Sequence, residues 1–152
     1  MKILDVLSKE TICVDLQATD KKGVLNELAA PVAQLTGTRH GDLVKVLMER
    51  ERLGSTGIGG GIGIPHGKLK DLPSLVLGIG LSRQGVDFDS MDGRPAHIFF
   101  LLLTPENSAG LHLKLLARLS RLLKNDEFKF QLMQAQSPEE IIGIIQEKDE
   151  AF

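Results

Sequence analysis

The chain has 152 residues, and its 18 lysines and arginines against 20 aspartates and glutamates give a formal net charge of -2 at pH 7. This length fits one domain that needs no metal or disulfide to complete its core, so we predict a single domain over residues 1–152. The charge balance offers no general attraction to nucleic acid or anionic lipid. Cys13 has no cysteine partner, and the longest apolar run, "IFFLLL" at 98–103, is too short for a membrane helix. We therefore expect a cytoplasmic protein without membrane insertion.

The first third of the chain has helical periodicity. Over residues 20–35 the apolar residues recur at helical spacing, with Asp20 as the N-cap and Gly37 as the stop. Pro31 lies inside this pattern and predicts a kink, because its nitrogen has no hydrogen to donate within the helix. A second helix is predicted over 42–53.

The middle of the chain has the pattern of strands and the last third that of helices. Apolar runs at 74–81 and 96–104 predict strands buried on both faces, and the alternating "VDFD" at 86–89 predicts a short strand between them. A leucine-rich helix is predicted over 111–123, and "SPEE" at 137–140 matches a capping box. These elements predict an α/β fold with a mixed sheet flanked by helices on both faces.

The stretch "GSTGIGGGIGIPHGK" at 54–68 matches neither the dinucleotide fingerprint nor the P-loop, because the required glycine positions fall on isoleucines. Glycine-rich backbone can instead fold into concave arrays of N–H groups that bind an anion. Pro65 stiffens the approach to His66 immediately after these glycines. The predicted anion-binding amides are those of Gly57, Gly59, Gly60, Gly61 and Gly63.

A histidine beside an anion-binding loop suits phosphoryl transfer, because its neutral ring attacks phosphorus and leaves readily once phosphorylated. The transferred group needs hydrogen-bond donors and positive charge around its oxygens. Arg50, sixteen residues before His66, and His112, at the start of the leucine-rich helix, can supply them. Each also has a simpler interpretation, Arg50 as a cation at a helix C-terminus and His112 as a solvent-facing helix residue. Spacing alone does not bring the three residues together.

The remaining histidines receive structural interpretations. His97 opens an apolar strand and is interpreted as packed or hydrogen-bonded, while His40 lies in an exposed connection. Lys68 either steers an acidic or phosphorylated partner or is simply solvated. The histidines have no ligand spacing with acidic residues, so neither a metal nor an organic cofactor is predicted.

The sequence closely resembles the enzyme IIA domains of the mannitol/fructose type in the bacterial phosphoenolpyruvate phosphotransferase system. Three segments carry the resemblance: "ERERLGSTGIGGGIGIPHGK" at 49–68, "VDFDSMDGRPAHIFFLLLTP" at 86–105 and "LHLKLLARLSRLL" at 111–123. It is strongest toward the nitrogen-regulatory members of the family. It implies that His66 accepts a phosphoryl group on Nε2 from an HPr-like or NPr-like histidine phosphocarrier. It further implies that His112 bonds the phosphorylated ring or its phosphoryl oxygens and that Arg50, rather than Arg52, is the stabilising cation.

Three functions remain open. A sugar-specific IIA component passes the phosphoryl group to a IIB protein, whereas a regulatory phosphocarrier binds target proteins according to its phosphorylation state. We expect no fused IIB domain in these 152 residues, since no reactive cysteine motif of the usual IIB kind is present, and this favours the regulatory role. Potassium transport, metabolism or a sensor kinase are the targets that the resemblance suggests. The third function is anion binding without phosphoryl transfer, for which a nucleophilic His66 is unnecessary.

Overall fold

The structure, a computed structural model, describes residues 1–150. The predicted domain ends at Phe152, and Ala151 and Phe152 lie outside the described residues. A 3-10 turn at Ile3–Asp5 precedes the regular elements. In chain order these are β1 (Leu7–Cys13), α1 (Lys21–Thr36), α2 (His40–Arg52), β2 (Gly57–Gly59), β3 (Ile62–Gly63), β4 (His66–Leu69), β5 (Val76–Val86), β6 (Ala96–Pro105), α3 (Ala109–Leu123), α4 (Asp126–Gln134) and α5 (Pro138–Glu150).

The strands form one mixed sheet in the order β1-β5-β6-β3-β2, with β4 also paired to β6. β5 and β6 are antiparallel at its centre, and β1 joins β5 in parallel. Both β3 and β4 run parallel to β6, β3 beside Ile98 and Phe99 and β4 beside Leu102 to Pro105. One edge of β6 is therefore shared by two short strands that follow each other in the chain.

Alternate residues of β6 pack on opposite faces of the sheet, as the geometry of a strand requires. Phe100 and Leu102 belong to a buried cluster with α3, α4 and α5. Phe99 and Leu101 belong to a second cluster with α1 and α2. The predicted fold, a mixed sheet with helices on both faces, is confirmed.

The predicted N-cap and stop of α1 are confirmed, and one strand prediction was wrong. Asp20 caps α1 by accepting a hydrogen bond from Gly23 N at 2.8 Å, and Gly37 ends the helix with a φ of 75°. The helix continues through Pro31. The strand predicted at 86–89 does not form, because β5 extends to Val86 and only an isolated bridge between Asp87 and Asp20 follows.

The predicted capping box at 137–140 is only partly formed. Ser137 Oγ accepts from Glu140 N at 3.2 Å, but the Glu140 carboxylate accepts from Gln136 N rather than from the N-cap amide. α5 begins at Pro138 as this signal predicts. Among the described residues, none of the helices combines the length and apolar character that crossing a membrane requires.

Candidate functional site

His66 is the first residue of β4, and its ring is hydrogen-bonded to the backbone two residues earlier in the chain. Its Nδ1 lies 2.9 Å from the carbonyl oxygen of Ile64. A carbonyl only accepts hydrogen bonds, so Nδ1 carries the hydrogen, and in the neutral ring Nε2 has a free lone pair. Leu102 N donates to Pro65 O at 2.9 Å, which fixes the residue before the histidine to the central strand. We call residues 64–69 the histidine arm.

Arg50, in the last turn of α2, points to the free nitrogen of His66. Its Nε donates to His66 Nε2 at 3.2 Å, and its Nη1 donates to Gly54 O at 2.9 Å. Close packing of α2 on β4 makes this contact possible: a Cβ at Gly67 would lie 2.7 Å from Cγ1 of Val46. Gly67 thus brings the helix that carries Arg50 close enough to reach the histidine.

A buried carboxylate that the sequence analysis missed anchors the end of α2. Glu51 is 6% exposed, accepts from Thr56 N at 3.0 Å and from Thr56 Oγ1, and pairs with Lys21 Nζ at 3.0 Å. These contacts tie the residue after Arg50 to α1 and to the chain leading into β2. The only signal in the sequence was helical phase, since Glu51 follows Leu43 and Leu47 on the buried side of α2.

His112, in the first turns of α3, faces His66. The two ring centroids are 5.3 Å apart with an interplanar angle of 61°. Its Nδ1 lies 2.7 Å from Oγ1 of Thr104, a buried residue of β6 that the sequence analysis did not single out. Burial, followed by the charges of His66 and Lys68, lowers the pKa of His112 and favours its neutral ring.

These side chains line one open cavity of about 520 Å³. Arg50, His66 and His112 lie together in its wall, beside Lys68 and Glu49. The remaining lining residues are Val46, Leu53, Gly67, Ala109 and Leu113. Leu53 and Leu113 are 85% and 66% exposed, so two apolar side chains, which we call the apolar rim, lie at the surface beside the charged centre.

The predicted glycines lie elsewhere. Residues 57–63, which we call the glycine hairpin, form the antiparallel pair β2–β3. None of its five glycines lines the cavity around His66, while Gly60 and Gly61 line a separate cavity with His97 and Lys129. The Gly60 amide already donates to Asp92 Oδ2 at 3.0 Å. Phosphoryl binding by these amides stays a prediction, because none of them shares a cavity with His66 and His112.

The other two histidines are engaged away from the cavity. Nδ1 of His97 donates to Ser82 O at 2.8 Å, and Nε2 of His40 donates to Asn26 O at 2.9 Å from an exposed position. In residues 1–150 no cluster of three or more histidine, cysteine, aspartate or glutamate side chains is arranged to hold a metal ion.

The arrangement combines one nucleophilic nitrogen with donors directed at the same space. His66 offers the lone pair of Nε2, Arg50 a permanent positive charge, and His112 a second ring nitrogen. The N-terminal end of α3 lies at the cavity through Ala109, so the positive end of the helix dipole also favours an anion there. Such a site suits a nucleophile that attacks an anionic phosphorus centre.

Comparison with known proteins gives a consistent result. The family model described as phosphoenolpyruvate-dependent sugar phosphotransferase system, EIIA 2, matches residues 5–148. The nitrogen regulatory protein of Bradyrhizobium diazoefficiens is 39% identical over 95% of this chain and 95% of that protein. The fructose-specific EIIABC component of Bacillus subtilis is 37% identical over 98% of this chain but only 24% of its own length. The crystal structure of the nitrogen regulatory protein IIA-Ntr from Neisseria meningitidis superposes with a TM-score of 0.87 at 33% identity, covering 93% of this chain and 97% of that one.

Proposed function

The chain belongs to the EIIA 2 family of the phosphoenolpyruvate-dependent sugar phosphotransferase system, a family of phosphotransfer components, and on this basis we propose that His66 carries the phosphoryl group. The observation that carries the proposal is the pair of contacts at the ring. Nδ1 is 2.9 Å from Ile64 O and Nε2 is 3.2 Å from Arg50 Nε, so the hydrogen lies on Nδ1 and the lone pair of Nε2 accepts a hydrogen bond from a cation in the cavity wall.

The reaction follows from that orientation. Nε2 of His66 attacks the phosphorus of a phosphohistidine in line with the bond to the donor ring, and the phosphorus–nitrogen bond of the donor breaks as the new one forms. The donor imidazole leaves with the electron pair, so no external base or oxidant is required. As the His66 ring becomes positive, the hydrogen bond from Nδ1 to Ile64 O strengthens and stabilises it.

Arg50 must change partners during the transfer. In the free protein its Nε–H occupies the Nε2 lone pair, which becomes bonded to phosphorus in the product. The guanidinium is then released to the equatorial phosphoryl oxygens, which accept several hydrogen bonds from its fork. Arg50 thereby stabilises the transition state more than the ground state, which is the condition for accelerating the reaction.

The apolar rim supports a protein as the donor. Leu53 and Leu113 are largely exposed around a charged centre, and contact with water there is removed when a partner of matching shape docks. We assign the donor to the class of histidine phosphocarrier proteins, whose own phosphohistidine must reach the cavity. Lys68, in the cavity wall, adds a positive charge toward such a phosphorylated partner.

The direct test is intact mass after incubation with phosphoenolpyruvate, enzyme I and a histidine phosphocarrier. We expect one acid-labile, alkali-stable phosphoryl adduct on the wild type and complete loss of the adduct in His66→Ala. His40→Ala is the matched control, because it removes an exposed histidine that does not line the cavity. An adduct that persists in His66→Ala would place the phosphoryl group on another residue.

For the cellular role we propose a regulatory phosphocarrier that binds target proteins according to the state of His66. The support is the nitrogen regulatory protein that matches 95% of both chains, together with the IIA-Ntr structure. A dianionic phosphoryl group beside the apolar rim makes the local charge more negative and so changes which surface can dock there.

A fructose-specific IIA role is the second candidate, favoured by the 37% identity to the Bacillus subtilis component. The two roles differ in where the phosphoryl group goes next. Incubating the phosphorylated protein with a fructose-specific IIB protein separates them: rapid loss of the adduct with phosphorylation of IIB supports the sugar-specific role. Retention of the adduct supports the regulatory role.

A further inference from the structure

Thr104 carries a buried hydroxyl near the C-terminal end of strand β6, after a run of six apolar residues. The residue has no exposed surface, and its Oγ1 lies 2.7 Å from Nδ1 of His112. Across residues 1–150, no second hydrogen-bond partner lies within reach of this oxygen. The hydroxyl and the imidazole nitrogen therefore have to satisfy each other.

The position of the hydrogen in this bond follows from burial. If Nδ1–H donated to Oγ1, the hydroxyl hydrogen of Thr104 would be buried without an acceptor, and a buried unpaired donor carries the full cost of its desolvation. If the hydroxyl donates to Nδ1, both groups are satisfied. The neutral His112 ring then carries its hydrogen on Nε2, on the side of the ring away from Thr104 and toward the cavity.

We propose that Thr104 is a positioning residue that holds His112 as the Nε2–H tautomer, so that His112 donates a hydrogen bond to a phosphoryl oxygen on His66. This inference rests on the proposed phosphorylation of His66. The two facing rings have opposite tautomers, each set by the group behind it. Ile64 O places the hydrogen of His66 on Nδ1 and leaves Nε2 as the nucleophile, while Thr104 Oγ1 places the hydrogen of His112 on Nε2 and makes it a donor.

The tautomer matters because the lowered pKa of His112 favours its neutral ring in the unphosphorylated protein. A charged imidazole donates from both nitrogens and needs no group to select between them, whereas a neutral ring donates from only one. Burial and the charges of His66 and Lys68 lower the pKa of His112, and a hydrogen bond donated to Nδ1 also favours the uncharged form. Without Thr104, no hydrogen-bond donor at Nδ1 selects the donor tautomer, and the neutral ring distributes its hydrogen over both nitrogens.

The first test measures the tautomer in the unphosphorylated protein. Ring 15N chemical shifts of His112 are compared in the wild type, in Thr104→Val, which removes the hydroxyl at nearly constant shape, and in Thr104→Ser, which retains it. We expect the Nε2–H pattern in the wild type and Thr104→Ser, and a mixture of tautomers in Thr104→Val. A wild type with hydrogen on Nδ1, or a Thr104→Val protein that keeps the wild-type pattern, would overturn the proposal.

The second test measures the rate of phosphoryl acceptance from the histidine phosphocarrier. We expect Thr104→Val to slow acceptance by about ten-fold, the size of one ordinary hydrogen bond, and Thr104→Ser to restore most of the rate. Thermal unfolding of all three proteins shows whether packing has changed. A slow Thr104→Ser protein with the intact tautomer pattern would assign the effect to packing and overturn the proposal.

The two proposals can fail separately. A wild type that accepts no phosphoryl group but shows the Nε2–H pattern would overturn the role of His66 and the donation to its phosphoryl oxygen, and would leave the tautomer assignment standing. A wild type that accepts the group normally while His112 carries its hydrogen on Nδ1 would overturn the role of Thr104 alone.

Discussion

The turn of the glycine hairpin and the histidine arm are near each other in sequence but differ in what their glycines do. In the hairpin, Gly59, Gly60 and Gly61 have φ values of 91°, 65° and 82°, a backbone region that side chains disfavour. In the arm, Gly67 has no such φ but lacks the room for a side chain, because α2 packs directly against it. The three hairpin glycines shape a turn, whereas Gly67 allows α2 to pack closely against β4.

Within the one glycine-rich motif, the hairpin and the histidine arm therefore lie at different places in the structure. The hairpin bonds to Asp92 and lies beside the cavity of His97, while the arm presents His66 to Arg50 and His112. Glycine-rich composition therefore does not by itself show which glycines lie at His66. Substitutions in the two regions should have different consequences for phosphoryl transfer.

The largest effect, after removal of His66 itself, is expected from Arg50→Ala. Loss of a charged donor aimed at the phosphoryl oxygens should lower the rate of acceptance by on the order of 10²-fold or more. Arg52→Ala is the matched control, because Arg52 is exposed in the same turn and does not line the cavity. Single-turnover transfer from the phosphocarrier measures both, and equal rates for Arg50→Ala and wild type would remove Arg50 from the site.

Gly67→Ala tests the close approach in the histidine arm. Its new methyl group would lie 2.7 Å from Val46 Cγ1, so we expect a loss of about 1–3 kcal/mol in unfolding free energy and slower transfer as α2 moves with Arg50. Gly41→Ala, where no atom lies within 4 Å, is the control in the same helix. Urea unfolding should show that Val46→Ala restores part of the stability of Gly67→Ala, and additive losses would contradict the contact.

Gly60→Ala tests the glycine hairpin, where we expect a loss of stability without a loss of rate. The φ of 65° costs alanine about 1–2 kcal/mol, but the nearest atom to its methyl group is Lys129 Nζ at 3.7 Å. Gly60→Asn should lose less, since asparagine tolerates this region. If a folded Gly60→Ala protein accepts phosphate at one-tenth of the wild-type rate or less, the hairpin amides take part in phosphoryl binding after all.

The smallest effect concerns the titration of His112. Its pKa is lowered mainly by burial, so as the pH falls through about 6.5 the unfolded chain takes up a proton before the folded one does. The contribution of the neutral ring to the free energy of unfolding is thus complete above about pH 6.5 and declines as the pH falls below that value. An NMR titration should place the midpoint below the ordinary value, and phosphorylation of His66 should raise it by supplying negative charge. A midpoint above the ordinary value before phosphorylation would contradict the assignment.

Much of the fold was predictable because its signals are local. Asp20 and Gly37 bound α1 through capping chemistry, and the apolar runs of β5 and β6 lie at the centre of the sheet. The separate strand expected at 86–89 was wrong, because alternation within four residues cannot show whether a neighbouring strand is present to pair with them. The short strands β2, β3 and β4 lacked a signal for the same reason, since glycine-rich segments form strands only through pairing.

The sequence by itself determined the family and most of the main helices and strands, with β1 and α4 unpredicted, because these depend on composition, periodicity and specific local motifs. The same motifs single out His66 as the residue that we propose carries the phosphoryl group. Only the tertiary structure decided which distant residues meet His66 and which nearby ones do not. The register of β4 on β6, the packing of Val46 on Gly67 and the start of α3 converge on one cavity and leave the glycine hairpin outside it. Arg50 and His66 are 16 residues apart in the sequence, and their contact depends on how the helices pack on the sheet. A local sequence pattern contains no information about that packing.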